Sequence, residues 1–386
     1  MEFVVHRIKD IAKLYSGGDA PEILSDVKTK ECCVPVFSNG ISQEGLYGYT
    51  NKAQILENAI TISARGTIGA VFYRREPFLP IVRLISLIPD TKIVSTEFLY
   101  YYLKSIHIDG FGTSQQQLTI PFLGKKKIKI IKDISTQKKI ASVLSTYDDL
   151  IEKNNRKIAI LQEMAEEIYK EWFVRFRFPG YKTAKFKDGI PEGWNIKRLE
   201  EFGTIETGKT PSTEVSEYYG TDIPFVKTPD MHENMWTIET EEMLSTAGSN
   251  SQAKKLLPAN SIMVSCIGTG GVVSINAVPS HTNQQINSII LNDLNELEWL
   301  FFTCVSLKPT IVSYGSTGAT MTNLSKSKFE KLKILYPGKL LAHKYHDKTK
   351  EIFFNIRNLM YLNKNLKTQR DLLLPRLMSG KLEVKA

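Results

Sequence analysis

The chain has 386 residues and a formal net charge of +9, from 50 Lys and Arg against 41 Asp and Glu. With 42% hydrophobic and 24% charged residues it suits two or three domains, each with a core of its own. The sequence has no apolar run near the ~18 residues of a membrane span and no signal-peptide core, which argues against a membrane or a secreted protein.

Residues 1–135 predict a mixed α+β domain. Short β-branched runs between Gly, Pro, Asn and Ser, such as Ile60–Ile62, Ile81–Ile88 and Ile128–Ile131, are typical of strands joined by irregular loops. The segment Thr96–Ser105 contains no Gly or Pro and predicts a short helix.

Residues 136–178 predict one long helix. Apolar residues recur at alternating spacings of four and three over more than four heptads, which is the pattern of a coiled coil. Pro179-Gly180 is a strong stop signal, and Asn154 is the one strongly polar residue on the seam. The seam consists of Ile140, Leu144, Tyr147, Ile151, Asn154, Ile158, Leu161, Ala165, Ile168 and Trp172.

The second half repeats this organisation after a Lys-, Gly- and Pro-rich linker, Pro179–Pro191. Residues 181–338 predict a second α+β domain, with a short helix over Leu294–Leu307. Residues 340–374 predict a second, less regular coiled-coil helix, which Pro375 is expected to end or kink. The predicted strands are Ser261–Val264, Val272–Ile275, Ile286–Leu291 and Lys331–Leu335, and the second seam consists of Tyr345, Thr349, Ile352, Ile356, Leu359, Asn363, Leu366, Arg370 and Leu373.

The predicted fold class is α+β, with two similar mixed α/β domains separated by two long helices in an antiparallel coiled coil, related by a pseudo-two-fold. Each seam carries one Asn, Asn154 and Asn363, so the helices are expected to pair with each other and to hold the two copies at opposite ends. The alternative is that each helix packs on its own domain. The expected boundaries are 1–135, 136–180, 181–338 and 339–386.

An internal repeat relates the two halves, because apolar and polar positions agree over three pairs of segments in the same order. A two-fold repeat in one chain indicates a ligand with two related but different halves, and asymmetric duplex DNA is a candidate that also fits the positive charge. The pairs are Arg7–Gly17 with Arg198–Gly208, Ile60–Gly69 with Ile262–Gly271, and Phe111–Ser114 with Tyr314–Thr317.

The segment Gly203–Thr210 matches the phosphate-binding loop pattern, but we interpret it differently. Such a loop follows a buried strand and opens a helix whose amides face the phosphates. Here Glu200-Glu201 precede the segment, Pro211 follows it, and the first half has neither Lys nor Thr at the positions that follow Gly17. The segment is predicted to be a strand that ends in a glycine turn and binds no nucleotide.

Catalytic and metal-binding patterns are absent from the sequence. The six His are scattered, and we expect His343 and His346 to be solvated on the second long helix. The pair Asp148-Asp149 is expected to be a solvated helix face. The sequence has no Asn-Pro-Pro-Tyr-type methyltransferase motif and no Gly-x-Ser-x-Gly elbow. Four Cys without metal spacing indicate a reduced, cytoplasmic protein. The chain is predicted to have no catalytic residue, metal or cofactor of its own.

Side chains suited to DNA recognition lie in predicted loops at matching places of the two halves. Amide side chains can read adenine edges, Arg and Lys can contact guanine or phosphate, and hydroxyls in Gly-rich loops suit backbone contacts. For any one of these residues a solvated loop is the simpler interpretation, so the set carries the hypothesis. The candidate DNA-contacting residues are Ser16, Arg65, Thr67, Gln115, Gln116, Gln117, Lys125, Lys126, Lys209, Thr210, Lys227, Thr269, Gln284, Ser316, Thr317 and Thr320.

Six segments carry a resemblance to one known family. They are QKKIASVL at 137–144, DDLIEKNN at 148–155, LQEMA at 161–165, EWFVRF at 171–176, PEGW at 191–194 and QRDLLLPRLMSGKL at 369–382. Together they resemble the DNA-specificity subunit of Type I restriction-modification enzymes over nearly the whole chain. The first half lacks the Pro-Glu-Gly-Trp opening, so its first strand is expected to be shorter than that of the second half.

The resemblance implies two target-recognition domains, each reading one half of a bipartite site, with two helical conserved regions between them. It implies double-stranded DNA, two adenine-N6 methyltransferase subunits and motor-nuclease restriction subunits as partners. S-adenosylmethionine and ATP are then expected on the partners. The residues expected in the coiled coil and partner interface are Ile140, Leu144, Ile151, Asn154, Ile158, Leu161, Trp172, Ile356, Leu359, Asn363 and Leu366.

Two other functions are compatible with the same features. One is the recognition part of a fused methyltransferase-nuclease system, against which the missing catalytic motifs argue. The other is a coiled-coil scaffold whose end domains bind a ligand other than DNA. Salt-dependent binding to mixed duplex DNA would distinguish a scaffold from a specificity subunit.

Overall fold

The computed structural model describes residues 2–110, 117–315 and 322–384. The chain forms two compact units, Met1–Glu152 with Asn365–Ala386, and Lys153–Lys364. Each unit combines short strands with helices, which confirms the predicted α+β fold class. Within the described ranges, no helix is long and apolar enough to cross a membrane.

The first unit is built from short strands and a few helices. The strands are β1 Phe3–Arg7, β2 Ala12–Ser16, β3 Val34–Phe37, β4 Leu46–Thr50, β5 Ala59–Ile62, β6 Val71–Arg74, β7 Leu79–Pro80, β8 Ile85–Pro89 and β9 Lys127–Ile131. The helices are α1 Ile8–Ile11, α2 Thr96–Ser105, α3 Ile120–Lys125 and the start of the long helix α4, Ile134–Tyr169. The predicted strands at 60–62 and 128–131 and the helix at 96–105 are confirmed.

Two small sheets and a strand pair organise this unit. One sheet has the order β2-β8-β5-β6, all antiparallel, and a second has the order β4-β3-β7 with β3 and β7 parallel. Strands β1 and β9 pair separately. Ile60 and Leu87 of the first sheet and Phe98 of α2 are fully buried in one core, so the sheet packs on this helix.

The second unit contains more strands of the same kind. They are β10 Phe186–Lys187, β11 Ile190–Pro191, β12 Asn195–Arg198, β13 Gly203–Thr207, β14 Tyr219–Val226, β15 Trp236–Thr237, β16 Glu242–Leu244, β17 Ile262–Ser265, β18 Ile267–Gly268, β19 Val273–Asn276, β20 His281–Thr282, β21 Ile286–Leu291, β22 Thr322–Asn323 and β23 Lys333–Tyr336. The shorter helices are α5 Thr228–Met231, α6 Thr246–Asn250, α7 Leu297–Ser306, α8 Lys308–Gly315 and α9 Lys326–Glu330.

The internal repeat is confirmed by the register of the strands. In the first unit Ser16 pairs with Ile85, which also pairs with Ile62. In the second unit Thr207 pairs with Asn287, which also pairs with Val264. The sheet order β13-β21-β17-β19 therefore reproduces β2-β8-β5-β6, with one additional strand, β15. The three-stranded sheet β16-β14-β20 likewise reproduces β4-β3-β7, including the parallel pair.

The opening strand of the first half is not shortened. Strand β1 has five residues, all paired with β9, whereas β12 has four residues, which pair with β23. The expectation of a shorter strand is wrong, because antiparallel pairing along Lys127–Ile131 orders this segment without a Pro-Glu-Gly-Trp opening.

In the second unit the two long helices pair through buried polar contacts. The second long helix is α10, Lys339–Met378. Asn154 Nδ2 donates to Asn363 Oδ1 at 2.8 Å, and Asn363 Nδ2 donates to Asn155 Oδ1 at 2.8 Å. Tyr345 OH donates to the carbonyl of Ala165 at 2.8 Å. Because the early part of α4 meets the late part of α10 here, the helices are antiparallel, as predicted.

The seam of this unit also forms part of the domain core. Tyr345 is fully buried and Phe173 is 8% exposed, in one cluster with Trp299 of α7. The two alternatives that the sequence left open, pairing of the helices with each other and packing of the helices on a domain, are therefore both realised in this unit. Helix α4 ends at Tyr169, and Lys170–Val174 form a π-helical turn, so the prediction of a helix to residue 178 is too long.

In the first unit an ion pair and an apolar cluster join the same two helices. The guanidinium of Arg370 binds the carboxylate of Asp148, which also accepts a hydrogen bond of 2.6 Å from Tyr101 OH. Asp149 binds Arg75 at 3.2 Å. The expectation that Asp148-Asp149 is a solvated face is wrong for Asp148, which Arg370 and Tyr101 bind, whereas Asp149 is 44% exposed and pairs with Arg75 at the surface.

Pro375 does not end α10, which continues to Met378. Pro375 lacks the amide that would close a helical turn, which costs roughly 3 kcal/mol in a helix interior. Leu374 and Leu377, 6% and 2% exposed, are buried in the core of the first unit with Ile140 and Leu144. Burial of two leucine side chains, at about 1.5–3 kcal/mol each, offsets that cost.

His343 and His346 are not solvated, contrary to expectation. His343 Nε2 lies 3.0 Å from Asp293 Oδ2, and His346 Nδ1 lies 2.7 Å from Glu298 Oε2. Glu298 is only 4% exposed and belongs to α7. The contact with this carboxylate raises the pKa of His346 above its usual value, so protonated His346 stabilises the packing of α10 on α7.

The buried Asn pair should contribute to stability. Asn154→Ala removes the donor to Asn363 Oδ1, and leaving a buried polar group unpaired costs about 1–3 kcal/mol. Urea unfolding should show this loss for Asn154→Ala, and no change for Lys153→Ala at the exposed neighbouring position. The double variant Asn154→Leu with Asn363→Leu should be more stable than Asn154→Ala, since it leaves neither amide buried. Equal unfolding free energies of Asn154→Ala and Lys153→Ala would contradict the contribution of this pair.

The His346–Glu298 contact should make stability depend on pH. Because the folded pKa of His346 is raised, its contribution is fully present below the unfolded pKa of about 6.5 and is lost as the pH rises through the folded value. His346→Gln should therefore destabilise the protein more at pH 5.5 than at pH 9 in urea unfolding. Lys348→Gln, at an exposed position, should change the free energy of unfolding only slightly, and by the same amount at both pH values. A larger effect of His346→Gln at pH 9 would refute this assignment.

Candidate nucleic-acid interface

In the first unit a glycine turn at the end of β2 packs against the loop before β8. The amide of Gly17 donates to the carbonyl of Leu84 at 2.9 Å, and the amide of Val82 donates to the carbonyl of Gly18 at 2.7 Å. A Cβ on Gly17 would lie 2.8 Å from the backbone of Ile81. Only glycine fits here, and the close packing holds the exposed Ser16 at the end of the strand.

A cleft opens beside this turn and is lined by two of the predicted residues, Ser16 and Gln117. The cleft has a volume of about 260 Å³ and is lined by Ser16, Arg83, Ile85, Gln117, Leu118, Thr119 and Ile120. Arg65 Nη2 donates to Gln117 Oε1 at 3.3 Å, so Ser16, Arg65 and Gln117 lie at one place in the unit. An Arg guanidinium beside an amide is suited to the hydrogen-bonding edges of bases.

The remaining predicted residues of the first unit are less accessible or lie away from the cleft. The hydroxyl of Thr67 is buried without a hydrogen-bond partner among the described residues. Lys126 Nζ donates to the carbonyl of His107 at 3.0 Å, whereas Lys125 is exposed. Helix α3 begins at the cleft with Ile120 and ends at Lys125, so the two lysines lie one short helix from the cleft.

The corresponding turn of the second unit follows β13. The amide of Gly208 donates to the carbonyl of Ile286 at 3.1 Å, and the amide of Lys209 donates to the carbonyl of Thr282 at 2.9 Å. A Cβ on Gly208 would lie 2.2 Å from the carbonyl oxygen of Asn283. These two amides are occupied by backbone carbonyls and cannot cradle a phosphate, as the interpretation of this segment as a strand with a glycine turn predicts.

Two of the predicted residues meet at this turn. Thr210 Oγ1 donates to Gln284 Oε1 at 2.6 Å. Next to them Asn283 Nδ2 donates to Gln285 Oε1 at 3.1 Å, and the amide of Cys266 donates to the Gln285 carbonyl at 2.7 Å. Burial raises the pKa of the Cys266 thiol to about 11, so the thiol is neutral near this surface. The exposed side chain of Lys209 lies beside this group of amides.

Lys227 and Thr269 make contacts different from those of Thr210 and Gln284. The ammonium of Lys227 binds the carboxylate of Glu242, so a DNA contact by Lys227 would compete with an ion pair. Thr269 is exposed, and its carbonyl accepts a hydrogen bond of 2.5 Å from Ser265 Oγ. Five further predicted residues, Gln115, Gln116, Ser316, Thr317 and Thr320, lie outside the described residues.

The predicted coiled-coil residues are placed on the helix pair. Ile140, Leu144 and Ile356 are fully buried, and Ile151, Asn154 and Asn363 are 6–8% exposed. The half-buried members are Ile158, Leu161, Trp172, Leu359 and Leu366. Because their side chains pack within the two units, they are available to a partner only in part.

The sequence patterns do not identify Arg83, which lines the first cleft, or Asn39, which holds the loop that carries it. Asn39 Nδ2 donates to the carbonyl of Val82 at 2.7 Å, and Asn39 Oδ1 accepts from the amide of Ala64 at 2.7 Å, so it ties the loop to the end of β5. A signal for Arg83 exists in the repeat. Extending the alignment through Ser86 and Ser288 of β8 and β21 places Arg83 opposite Gln285.

Comparison with known proteins identifies the family of this chain. The model of the type I restriction modification DNA specificity domain matches residues 1–163 and 191–367. The HindI specificity subunit of Haemophilus influenzae is 33% identical over 367 residues, covering 76% of this chain and 79% of that protein. The MjaIX specificity subunit of Methanocaldococcus jannaschii is 25% identical over 435 residues, covering 98% and 93%. These matches confirm the resemblance of the sequence motifs.

A solved structure shows the same fold. The S subunit of a type I restriction-modification system from M. genitalium superposes with a TM-score of 0.62 over 98% of this chain and 96% of that chain, at 17% identity. At this identity the likeness concerns the fold, two repeated α/β domains with long helices, and agrees with the predicted fold class.

The phosphate-loop pattern should be inert towards nucleotide. Because the amides of Gly208 and Lys209 are bonded to backbone carbonyls, ATP should show no measurable binding in calorimetry, with or without Lys209→Ala. Lys209→Ala should weaken DNA binding by about 1 kcal/mol or less, as the loss of one phosphate contact. Tight ATP binding that Lys209→Ala abolishes would overturn this interpretation.

Alanine should be tolerated at Gly18 of the first turn but not at Gly208 of the second. Gly208→Ala places a Cβ against backbone, and overpacking of this kind costs about 1–3 kcal/mol. Gly18→Ala has nothing within 4 Å of the new Cβ and should change stability by less than about 0.5 kcal/mol. Thermal unfolding of both variants makes the comparison, and an equal loss in both would contradict the packing described for Gly208.

Proposed function

Because the chain belongs to the type I restriction-modification DNA specificity family, we propose that it recognises a bipartite sequence in duplex DNA and directs partner subunits to it. In this proposal the glycine turn and loop of the first unit read one half-site, and the corresponding turn of the second unit reads the other. The partners are two adenine-N6 methyltransferase subunits and motor-nuclease restriction subunits.

Specificity subunits target a restriction-modification complex and do not catalyse its reaction. Membership of this family therefore confirms the prediction that the chain is not itself an enzyme. S-adenosylmethionine and ATP are proposed to bind to the partner subunits. The methyl donor supplies the transferred group there, and ATP supplies the energy of the motor.

One observation carries the proposal of two half-sites. Structurally equivalent positions of the two units hold different side chains. The amide of Leu118 donates to the Ala64 carbonyl at 2.9 Å, and the amide of Leu324 donates to the Cys266 carbonyl at 2.9 Å. These equivalent bonds place the pair Arg65 and Gln117 of the first unit opposite Ile267 and Asn323 of the second. Two similar frames with different polar groups are suited to two different base sequences.

Phosphate contacts would supply affinity in both units. Exposed Lys125 of the first unit and exposed Lys209 of the second lie at or near the two turns. Cations that neutralise phosphates release counterions, so binding should weaken steeply as salt concentration rises. The net charge of +9 agrees with such a contribution.

The long helices present side chains for partner subunits. Ile160 and Met164, one turn apart on α4, are 56% and 50% exposed, and Leu362 of α10 is 47% exposed. The seam residues are mostly buried in the units, so these outward apolar side chains are the better candidates for contacts with the methyltransferases. An exposed apolar patch on a helix can mark a surface that a partner covers.

An exchange of one half tests the function. We expect that replacing residues 1–135 by the same domain of another family member changes one half of the methylated motif and leaves the other half unchanged. The readout is methylation sequencing of DNA from cells that carry the chimaera with its methyltransferase. The reciprocal exchange of residues 181–338 is the matched control and should change only the other half. A change in both halves, or in neither, would contradict the proposal.

A further inference from the structure

The loop before β8 and the loop before β21 occupy one structural position in the two units. In the first unit the parallel pair Phe37 and Pro80 precedes the loop, and the amide of Ile81 donates to the Phe37 carbonyl at 2.9 Å. In the second unit Val226 pairs with Thr282, and the amide of Asn283 donates to the Val226 carbonyl at 3.1 Å. Residues 81–85 therefore correspond one by one to residues 283–287, and Arg83 corresponds to Gln285.

The backbone at Arg83 is strained and firmly held. Val82 and Arg83 have φ values of +52° and +60°, in the left-handed region that non-glycine residues rarely adopt. The amide of Arg83 donates to the Gly17 carbonyl at 3.1 Å, and Asn39 Nδ2 holds the Val82 carbonyl at 2.7 Å. Strain of about 1–3 kcal/mol per residue persists where the surroundings over-determine the conformation, and such residues cluster at binding sites.

The Arg83 side chain lines a cleft and has no charged partner among the described residues. It is exposed and lines the 260 Å³ cleft with Ser16 and Gln117. No carboxylate in the described part of the chain lies within 4.0 Å of its guanidinium, whereas Arg74 and Arg75 bind Glu44 and Asp149. A guanidinium with no carboxylate partner among the described residues can donate to an external acceptor.

We propose that this loop position determines sequence specificity, with Arg83 reading a guanine in the half-site of the first unit. Arg donates two parallel hydrogen bonds to O6 and N7 of guanine, whereas Gln pairs in the same bidentate manner with adenine. In the second unit Gln285 has this position in the alignment, but its backbone is not left-handed and its Oε1 already accepts from Asn283 Nδ2 at 3.1 Å and from Thr228 Oγ1 at 3.5 Å. The base contact is therefore assigned to Arg83 alone, and the two units differ at this loop position.

This inference rests on the proposed recognition of duplex DNA, and a panel of duplexes tests it. The assembled complex with its methyltransferase subunits is titrated with a duplex that carries the motif found by methylation sequencing. It is then titrated with variants of this duplex in which each base pair is changed in turn. For the natural chain, replacing the contacted G·C pair should weaken binding about 5–150-fold, the equivalent of 1–3 kcal/mol. Arg83→Ala should abolish this penalty at one base pair and keep every penalty in the other half-site. Arg83→Gln should shift the preference at that pair from guanine to adenine.

Two further variants make the outcome decisive. Arg83→Gly removes the side chain and suits the positive φ, so it reports on recognition if Arg83→Ala fails to fold. Lys92→Gln removes one exposed positive charge beyond the other end of β8 and should leave the whole pattern unchanged. An unchanged pattern in Arg83→Gly would overturn the inference, as would a uniform loss on all duplexes with a weaker salt dependence, because that is the signature of a phosphate contact. Equal affinity of the natural complex for every duplex would overturn the proposed function itself.

Discussion

The contact between a glycine turn and the loop that faces it determines the arrangement of each recognition surface. In the second unit the Gly208 backbone lies so close to Asn283 that a Cβ would lie 2.2 Å from its carbonyl oxygen, and in the first unit a Cβ on Gly17 would lie 2.8 Å from the backbone of Ile81. The turn cannot move away without losing the hydrogen bonds from these amides to Leu84 and Ile286. The polar side chains proposed to read DNA near β2 and β13 are positioned by this contact. The same backbone arrangement therefore presents different side chains in the two units.

The helix pair contributes a second constraint, in which polar groups fix the register. Leucine and isoleucine pack at several registers with similar energies, whereas Asn154 meets Asn363 at only one. In the first unit the ion pair of Arg370 with Asp148 has the same role, since a slip of one turn would leave a partly buried charge without its partner. Both contacts join α4 to α10 inside a unit, and aromatic residues such as Tyr345 then join the pair to the domain core.

The regular features of the fold could be predicted from sequence because they depend on short-range patterns. The heptad spacing predicted α4 and α10, β-branched runs predicted β5, β9 and β21, and the matched segments predicted two copies of one sheet. The phosphate-loop pattern of Gly203–Thr210 was correctly rejected from its neighbours, since Pro211 excludes the helix that such a loop needs. These are local rules, and tertiary contacts in this protein agree with them.

The predictions that failed depend on contacts distant in sequence. His343, His346 and Asp148 looked solvated because the carboxylates and cations that bind them lie about 50 residues or more away, on other elements. Pro375 was expected to end or kink α10 because its cost is local, and α10 continues past it to Met378 because Leu374 and Leu377 are buried in the core of the first unit. Arg83 was missed since its position becomes meaningful only when the loop is aligned with 283–287 through strand pairing.

One repeated frame is proposed to carry two different DNA-reading surfaces. Sequencing of methylated adenine in cells that express this chain with its methyltransferase measures the motif that these surfaces select. The expected result is one bipartite motif, with two unlike half-sites separated by a spacer of unspecified bases. A continuous motif, or two identical half-sites, would contradict it.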